Sequence, residues 1–186
     1  MSTEKLVFGA LLTALVIVLQ FLGSFIRFGP FAISLVLIPI VIGAATCGPK
    51  VSTWLGFVFG VVVLFTDAAA FLAISVAGTV ITVLLKGMAC GLVAGIVYQL
   101  LAKKHPYVAV IAAAIVCPLV NTGIFLLGSV VFFLEALREW GVAAGFNNVF
   151  AFLIIGMVGL NFLVEMATNI VLSPVIVRIM NIKKHK

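Results

Sequence analysis

The chain has 186 residues, of which 65% are hydrophobic and 9% are charged, and its mean hydropathy is +1.43. This composition is typical of a polytopic membrane protein and leaves no stretch for a separate soluble domain. The net charge of +6 comes from basic residues dispersed among short connections, so it gives no reason to expect a nucleic-acid partner.

Apolar segments along the chain predict an all-α bundle of about six membrane-spanning helices, which forms a single membrane domain over residues 1–186. A bilayer core about 30 Å thick needs roughly 20 residues per helix, and the length of the chain allows this number of spans with short loops. Turn residues mark the breaks at 28–30, 47–50 and 103–106. The expected spans are about 6–24, 31–47, 51–66, 78–101, 107–133 and 149–178.

The charges of the loops predict the orientation of the bundle. One set of connections is rich in lysine, whereas the opposite set holds only Arg27 and Arg138 as basic residues. Because basic residues gather in cytoplasmic loops, both termini are expected in the cytoplasm, with Asp67 and Trp140 on the outer side. The lysines on the cytoplasmic side are Lys5, Lys50, Lys103, Lys104, Lys183, Lys184 and Lys186.

Lys86 interrupts the apolar run of the fourth predicted span. An ammonium at that depth costs on the order of 2.5–3.5 kcal/mol, so it should face a cavity, a carboxylate or a bound anion. Asn161, Glu165 and Asn169 recur every four residues and therefore share one face of the last span. Counting about 1.5 Å per residue from the outer ends places Lys86, Asn121 and Asn161 at similar depths. We expect these side chains and Glu165 to line an outward-facing pocket, in which Lys86 meets an anionic ligand.

A structural alternative assigns the same side chains to helix packing. In it, Lys86 pairs with Glu165, and the asparagines form hydrogen bonds between helices. Asn121 follows Pro118 by one turn, so it could instead satisfy backbone groups that the proline frees. For Asn169, which lies nearest the cytoplasmic side, the structural role is the favoured interpretation.

Two outer loops carry further candidate ligand contacts. Arg27 precedes a Phe-Gly-Pro turn in the first, and Trp140 follows a charged stretch in the third, so both loops are candidates for a lid. The alternatives are solvation of the loop by Arg27 and an aromatic-belt anchor at Trp140.

Small residues predict close helix packing. Gly56 and Gly60 form a GxxxG pattern in the third span, and Gly87, Gly91 and Gly95 continue the spacing beside Lys86 in the fourth.

The three cysteines, Cys47, Cys90 and Cys117, are scattered over the predicted spans without a CxxC pair. We therefore expect no disulfide framework, no metal site and no cofactor. A membrane subunit of a redox complex remains a second interpretation, and it requires paired thiolates at similar depth, which Cys90 and Cys117 could supply.

In this arrangement the chain resembles the substrate-binding S components of energy-coupling factor (ECF) transporters, which import micronutrients into bacteria. The resemblance rests on the number of spans, on Ala10 and Ala14 in an AxxxA pattern of helix one, and on the stretch Ile38–Gly43 that leads to Cys47-Gly48-Pro49. It implies a multi-pass subunit of the bacterial plasma membrane that captures a vitamin. It also implies that the face of Ala10 and Ala14 docks onto a scaffold transmembrane subunit, which works with two ATPase subunits.

The chain itself is not expected to be an enzyme. It lacks the GxxxxGK[ST] motif, so ATP hydrolysis would come from partner chains, and it lacks the HExxH and GxSxG patterns of hydrolases. An intramembrane lysine flanked by asparagines favours a ligand with a carboxylate or a phosphate. Pantothenate is slightly preferred on this ground, with biotin and the larger riboflavin as alternatives.

Overall fold

The computed structural model describes residues 3–25, 27–28, 31–32 and 35–184, and it leaves undescribed the side chains of 27–28, 31–32, 160 and 179–184. The described chain is almost entirely helical. Its elements are α1 (Thr3–Ser24), β1 (Arg27–Phe28), β2 (Phe31–Ala32), α2 (Leu37–Cys47), α3 (Pro49–Thr66), α4 (Ala69–Leu72), α5 (Val76–Ala102), α6 (Pro106–Phe132), α7 (Leu134–Ala143), α8 (Val149–Ala151), a π-helical segment (Phe152–Gly159) and α9 (Leu160–Lys184).

Within the described residues, 5 helices are long and apolar enough to cross a membrane. They are α1, α3, α5, α6 and the continuous helix over Val149–Arg178. At 1.5 Å per residue, the 27 residues of α5 span about 40 Å, which exceeds the roughly 30 Å of a bilayer core. The helices confirm the predicted all-α membrane architecture, and the bounds of these five lie close to the predicted ones.

The second predicted span, 31–47, is wrong in its first part. Phe31 lies in β2, which pairs antiparallel with β1 in a short hairpin. The helix begins only at Leu37 and has 11 residues, about 16 Å, which is too short to cross a bilayer core alone. Proline is tolerated in the first turn of a helix but not in its interior, so Pro39 favours a start just before it.

α2 is instead a buried central helix. Leu37, Ile40, Val41 and Ala44 are all 0% exposed, and the helix packs against α1, α3, α5, α6 and α9. Apolar side chains cover it on nearly every side, which is the pattern of a helix enclosed by other helices rather than one that faces lipid on one side.

Glycines allow α3 and α5 to approach each other closely. A Cβ atom on Gly56 would collide with the carbonyl oxygen of Gly87. One turn further along, the Ser52 hydroxyl donates a hydrogen bond of 2.7 Å to the carbonyl oxygen of Gly91. These contacts confirm the predicted small-residue packing, and they hold Lys86, the neighbour of Gly87, against α3.

The helices alternate in direction, so the lysine-rich connections share one end of the bundle. The thiol of Cys47 lies 3.9 Å from the carbonyl oxygen of Lys5, which brings the end of α2 to the start of α1. A Cβ atom on Gly48 would lie 3.3 Å from the side chain of Gln99, so the end of α5 is at the same place. Lys50 lies in the first turn of α3, at this same end of the bundle.

The contact between α3 and α5 predicts a sharp difference between two glycine-to-alanine substitutions. Gly56→Ala should lower the free energy of unfolding by about 1–3 kcal/mol, because the added methyl group meets the Gly87 backbone. The matched control is Gly123→Ala on α6, where a Cβ atom has nothing within 4 Å. Thermal unfolding of the detergent-purified proteins measures both, and equal melting temperatures would contradict the close approach.

Candidate functional site

A cavity of about 90 Å³ lies inside the bundle, towards the end opposite the lysine-rich turns. It is formed where the last turns of α1 and α3 meet the middle of α5, of α6 and of the last spanning helix. Its polar lining residues are Gln20, Asp67, Lys86, Asn121, Thr122, Asn161 and Glu165. Four of the predicted ligand contacts, Lys86, Asn121, Asn161 and Glu165, thus surround one cavity.

The ammonium of Lys86 lies among aromatic rings. Its Nζ is 5.4 Å from the ring centroid of Phe125 and 5.6 Å from that of Phe59. Each cation–π contact contributes roughly 0.5–2 kcal/mol, which offsets part of the cost of placing an ammonium in an apolar bundle. Lys86 makes no direct ion pair with any side chain that the structure describes, so its N–H donors are available to a ligand.

Glu165 and Asp67 nevertheless lie near Lys86. Both carboxyl groups line the same cavity as the ammonium, close enough for an electrostatic interaction with it. Lys86 and Glu165 line this cavity without a direct ion pair. The direct Lys86–Glu165 pair of the structural alternative is therefore absent from this conformation, although the charges act on each other through the cavity.

The amide groups of Asn121 and Asn161 are buried in the cavity wall. They are 5% and 8% exposed, and the Oδ1 atom of each lacks a hydrogen-bond donor among the described residues. A buried carbonyl oxygen without a partner costs about 1–3 kcal/mol. Asn121 forms no hydrogen bond with the described backbone near Pro118. Both amides thus present an acceptor without a partner at the cavity wall.

Asn169 also has an Oδ1 atom without a donor among the described residues, but its other contacts differ. It is 1% exposed, and its Nδ2 atom donates a hydrogen bond of 2.8 Å to the backbone oxygen of Glu165. The Ser173 hydroxyl in turn donates to the backbone oxygen of Asn169 at 2.9 Å. These local bonds, and a position outside the cavity lining, agree with a structural role.

Sequence reasoning missed Gln20 and Asp67 as cavity residues. Gln20 is 2% exposed, and its Nε2 atom donates a hydrogen bond of 2.7 Å to Oδ2 of Asp67. The Thr66 hydroxyl donates to the same carboxylate oxygen at 2.9 Å. Gln20 is the one amide in the first predicted span, and a polar side chain inside a membrane helix generally has a polar partner, so this signal was present.

Aromatic and apolar side chains complete the cavity wall. Phe71, Phe125, Phe162 and Met157 line it, and Trp140 packs edge-on against Phe71 with ring centroids 5.6 Å apart. Trp140 therefore supports the wall from the second layer and is not among the lining residues.

The remaining predicted residues lie away from the cavity or outside the described side chains. Trp140 belongs to α7, a helix that the sequence did not predict, and Leu137 anchors α7 with 0% exposure. Arg27 lies in β1, and its side chain is outside the described residues. Ala10 and Ala14 are exposed on the surface of α1.

Two of the three cysteines, Cys90 and Cys117, lie near each other, as the redox interpretation requires. Both are buried, and the thiol of Cys90 donates a hydrogen bond of 3.1 Å to the backbone oxygen of Gly87. Cys47 lies at the other end of the bundle beside Lys5. In the described part of the chain, no group of three or more His, Cys, Asp or Glu residues could hold a metal ion, whereas an iron–sulfur cluster needs four ligands.

Apolar spanning helices around a buried polar cavity define a multi-pass membrane protein with an internal polar cavity. The family model of the ECF transporter substrate-specific component matches residues 4–177, and the protein belongs to this family. No curated protein and no solved structure matches the chain. The resemblance seen in the sequence is thereby confirmed. Members of the family are transport subunits that recognise a small molecule within a larger membrane complex, and they are not themselves enzymes.

The surroundings of the asparagines predict different effects of two substitutions on the ligand-free protein. Asn161→Leu removes a buried oxygen without a donor and should keep or raise the melting temperature, by about 2–4 °C per kcal/mol gained. Asn169→Leu also removes a buried oxygen without a donor, but it loses the hydrogen bond to the Glu165 backbone as well, so its melting temperature should be lower than that of Asn161→Leu. Thermal unfolding after ligand removal provides the comparison, and an equal loss of stability in both variants would assign Asn161 to the structure.

Proposed function

We propose that this protein is the substrate-capturing subunit of an ECF importer for a small, water-soluble vitamin with an anionic group. The observation that carries the proposal is the Lys86 ammonium, which lines the cavity beside two phenylalanine rings and has no direct ion pair among the described side chains. An anionic group of the ligand would form charge-assisted hydrogen bonds with it, and these are stronger than neutral ones.

The rest of the cavity supports a ligand that also carries N–H or O–H donors. The free oxygens of Asn121 and Asn161 are acceptors, and the carboxyl groups of Asp67 and Glu165 also lie in the lining. Pantothenate has a carboxylate, an amide and hydroxyl groups, so it remains the preferred ligand. Riboflavin is the alternative that the phenylalanine-rich wall supports, because aromatic rings pack well against each other.

Ligand entry requires the cavity to enlarge. Its volume of about 90 Å³ lies below the roughly 300–1,000 Å³ of small-molecule sites. The aromatic wall around Phe71, together with α7 behind it, forms the cover that would move. In the orientation given by the lysine-rich connections, this end of the bundle faces the outside of the bacterial plasma membrane.

Membrane assembly of the subunit follows the same orientation. We propose that the β1–β2 hairpin and α2 together form the sixth membrane segment and that both termini are cytoplasmic. The exposed Ala10 and Ala14 allow a close approach of a scaffold transmembrane subunit, because small residues let helix backbones come together in lipid. Two ATPase subunits on the cytoplasmic side would supply the energy.

Substitution of Lys86 tests the ligand assignment. Lys86→Met keeps the apolar stem but removes the charge, so the Kd for an anionic vitamin should rise about 10- to 100-fold, as expected for the loss of hydrogen bonds to a charged group. Equilibrium binding of radiolabelled pantothenate, biotin and riboflavin to the purified protein measures the effect. The melting temperature of the empty variant should stay equal or rise, because no charge is buried.

The matched control is Lys104→Met, which removes an exposed lysine from the turn between α5 and α6 and should leave binding unchanged. Unchanged binding in Lys86→Met, together with a lower melting temperature, would assign Lys86 to the structure. Absence of binding of all three vitamins to the wild-type protein would contradict the proposed substrate class.

Docking through α1 predicts an effect on assembly without an effect on binding. Ala10→Leu/Ala14→Leu should reduce the amount of scaffold subunit that co-purifies, because larger side chains keep the helices apart, whereas vitamin binding by the isolated subunit should persist. The control is Ala77→Leu, an exposed alanine in the first turn of α5. Equal co-purification of the two variants with the scaffold would exclude the α1 face.

A further inference from the structure

α1 is the most peripheral of the candidate spans, yet it reaches the cavity. Its most apolar stretch is 28% buried, against 33–44% for the other four, and it packs mainly on α2 and α3. Val7, Leu11 and Val18 form an exposed stripe at helical spacing with Ala10 and Ala14. Of all the residues of α1, Gln20 is the one in the cavity lining.

The two ends of the Gln20 amide have different surroundings. Nε2 donates to Oδ2 of Asp67 at 2.7 Å and lies 3.4 Å from the hydroxyl of Thr66. Asp67 is fixed in turn at the end of α3, where its backbone N–H donates to the Val63 oxygen at 2.9 Å. Oε1 of Gln20, by contrast, is buried and lacks a donor within the described part of the chain.

We propose that Gln20 couples the position of α1 to ligand binding: Nε2 ties α1 to Asp67, and Oε1 accepts a hydrogen bond from an N–H or O–H group of the ligand. The inference rests on the proposed function, since it requires a ligand in this cavity. It adds α1 to the elements that bind the ligand, and it assigns to that helix a second task besides its contact with a partner subunit.

The coupling follows from the chemistry of one amide. A donor that binds Oε1 polarises the group and strengthens the hydrogen bond that Nε2 donates, because hydrogen bonds in a chain reinforce each other. A bound ligand therefore restrains the end of α1 near Gln20. By reciprocity, a displacement of α1 that breaks the bond to Asp67 lowers the affinity for the ligand by the same factor.

A second hydrogen bond between the same helices offers a matched control. Nε1 of Trp54 on α3 donates to the hydroxyl of Thr13 on α1 at 3.2 Å, and neither residue lines the cavity. Thr13→Val removes this bond while it keeps the shape of the side chain. Gln20→Leu removes the hydrogen bond to Asp67 in the same way. The two variants therefore differ in one respect: the bond that Gln20→Leu removes lies in the cavity wall, and the bond that Thr13→Val removes does not.

The experiment measures distances between spin labels at Leu22→Cys on α1 and Phe65→Cys on α3, which are 55% and 84% exposed. The three native cysteines, all buried, are replaced by alanine. Gln20→Leu should broaden the distance distribution of the ligand-free protein, whereas Thr13→Val should leave the end of α1 in place. Pantothenate, biotin and riboflavin are the probes, and the one that binds should narrow the distribution of the wild-type protein but not that of Gln20→Leu.

Binding of the same probes gives the second readout. Gln20→Leu should weaken binding at least about fivefold, the lower range of couplings between sites, and Thr13→Val should not. The exchange Gln20→Glu/Asp67→Asn reverses the direction of the hydrogen bond and keeps an acceptor at position 20, so it should restore the distance and part of the affinity. A purely structural role of Gln20 would not give this rescue.

The outcomes separate this inference from the proposed function. An unchanged distance distribution in ligand-free Gln20→Leu, or equal affinities of Gln20→Leu and the wild-type protein, would overturn the role of Gln20 while the vitamin site stands. Failure of all three probes to bind the wild-type protein would contradict the proposed substrate class and the ligand contact of Oε1. In that case the distance distributions of the ligand-free wild-type and Gln20→Leu proteins still decide whether Gln20 fixes the end of α1.

Discussion

The burial of one ammonium group inside an apolar bundle is the constraint around which the rest of the structure is arranged. Close glycine packing of α3 and α5 holds the backbone beside Lys86 against α3, which brings the side chain to the Phe59 ring. Phe125 contributes a second ring from α6. Because rings provide a diffuse negative face rather than hydrogen-bond acceptors, they lower the cost of the charge without occupying its donors. A carboxylate in direct contact would have occupied one or two of its three donors and offset its charge.

Polar groups without partners are tolerated at this site because the stability of the bundle comes from elsewhere. The amide oxygens of Gln20, Asn121 and Asn161 lack donors in the described structure, at a cost of about 1–3 kcal/mol each. The fully buried side chains of α2 and the interlocked glycines of α3 and α5 lie closer to the lysine-rich end. Three of the six buried side-chain oxygens that lack a partner in the described structure thus line the cavity, and the other three belong to Thr82, Ser129 and Asn169.

Helix periodicity and depth were sufficient to predict that Lys86, Asn121, Asn161 and Glu165 lie around one cavity. In a bundle of long helices, the face of the helix and the depth along its axis nearly determine where a side chain lies. The start of α2 was misplaced because an apolar run does not distinguish a strand followed by a helix from one long helix. The Gln20–Asp67 bond could not be predicted by the same reasoning, since it depends on which helices are neighbours. α7 escaped detection because its mixture of Glu, Arg and Leu also suits a surface loop.

The carboxyl groups of the cavity would make the proposed site selective among anions. Asp67 is held by hydrogen bonds from Gln20 and Thr66, and Glu165 lines the same cavity as Lys86. A ligand with one anionic group can place it beside Lys86 and direct its N–H or O–H donors towards the carboxyl and amide oxygens. A ligand with several charges would bring one of them close to a carboxylate in a medium that screens charge poorly. The same groups that bind the proposed ligand would therefore disfavour more highly charged competitors.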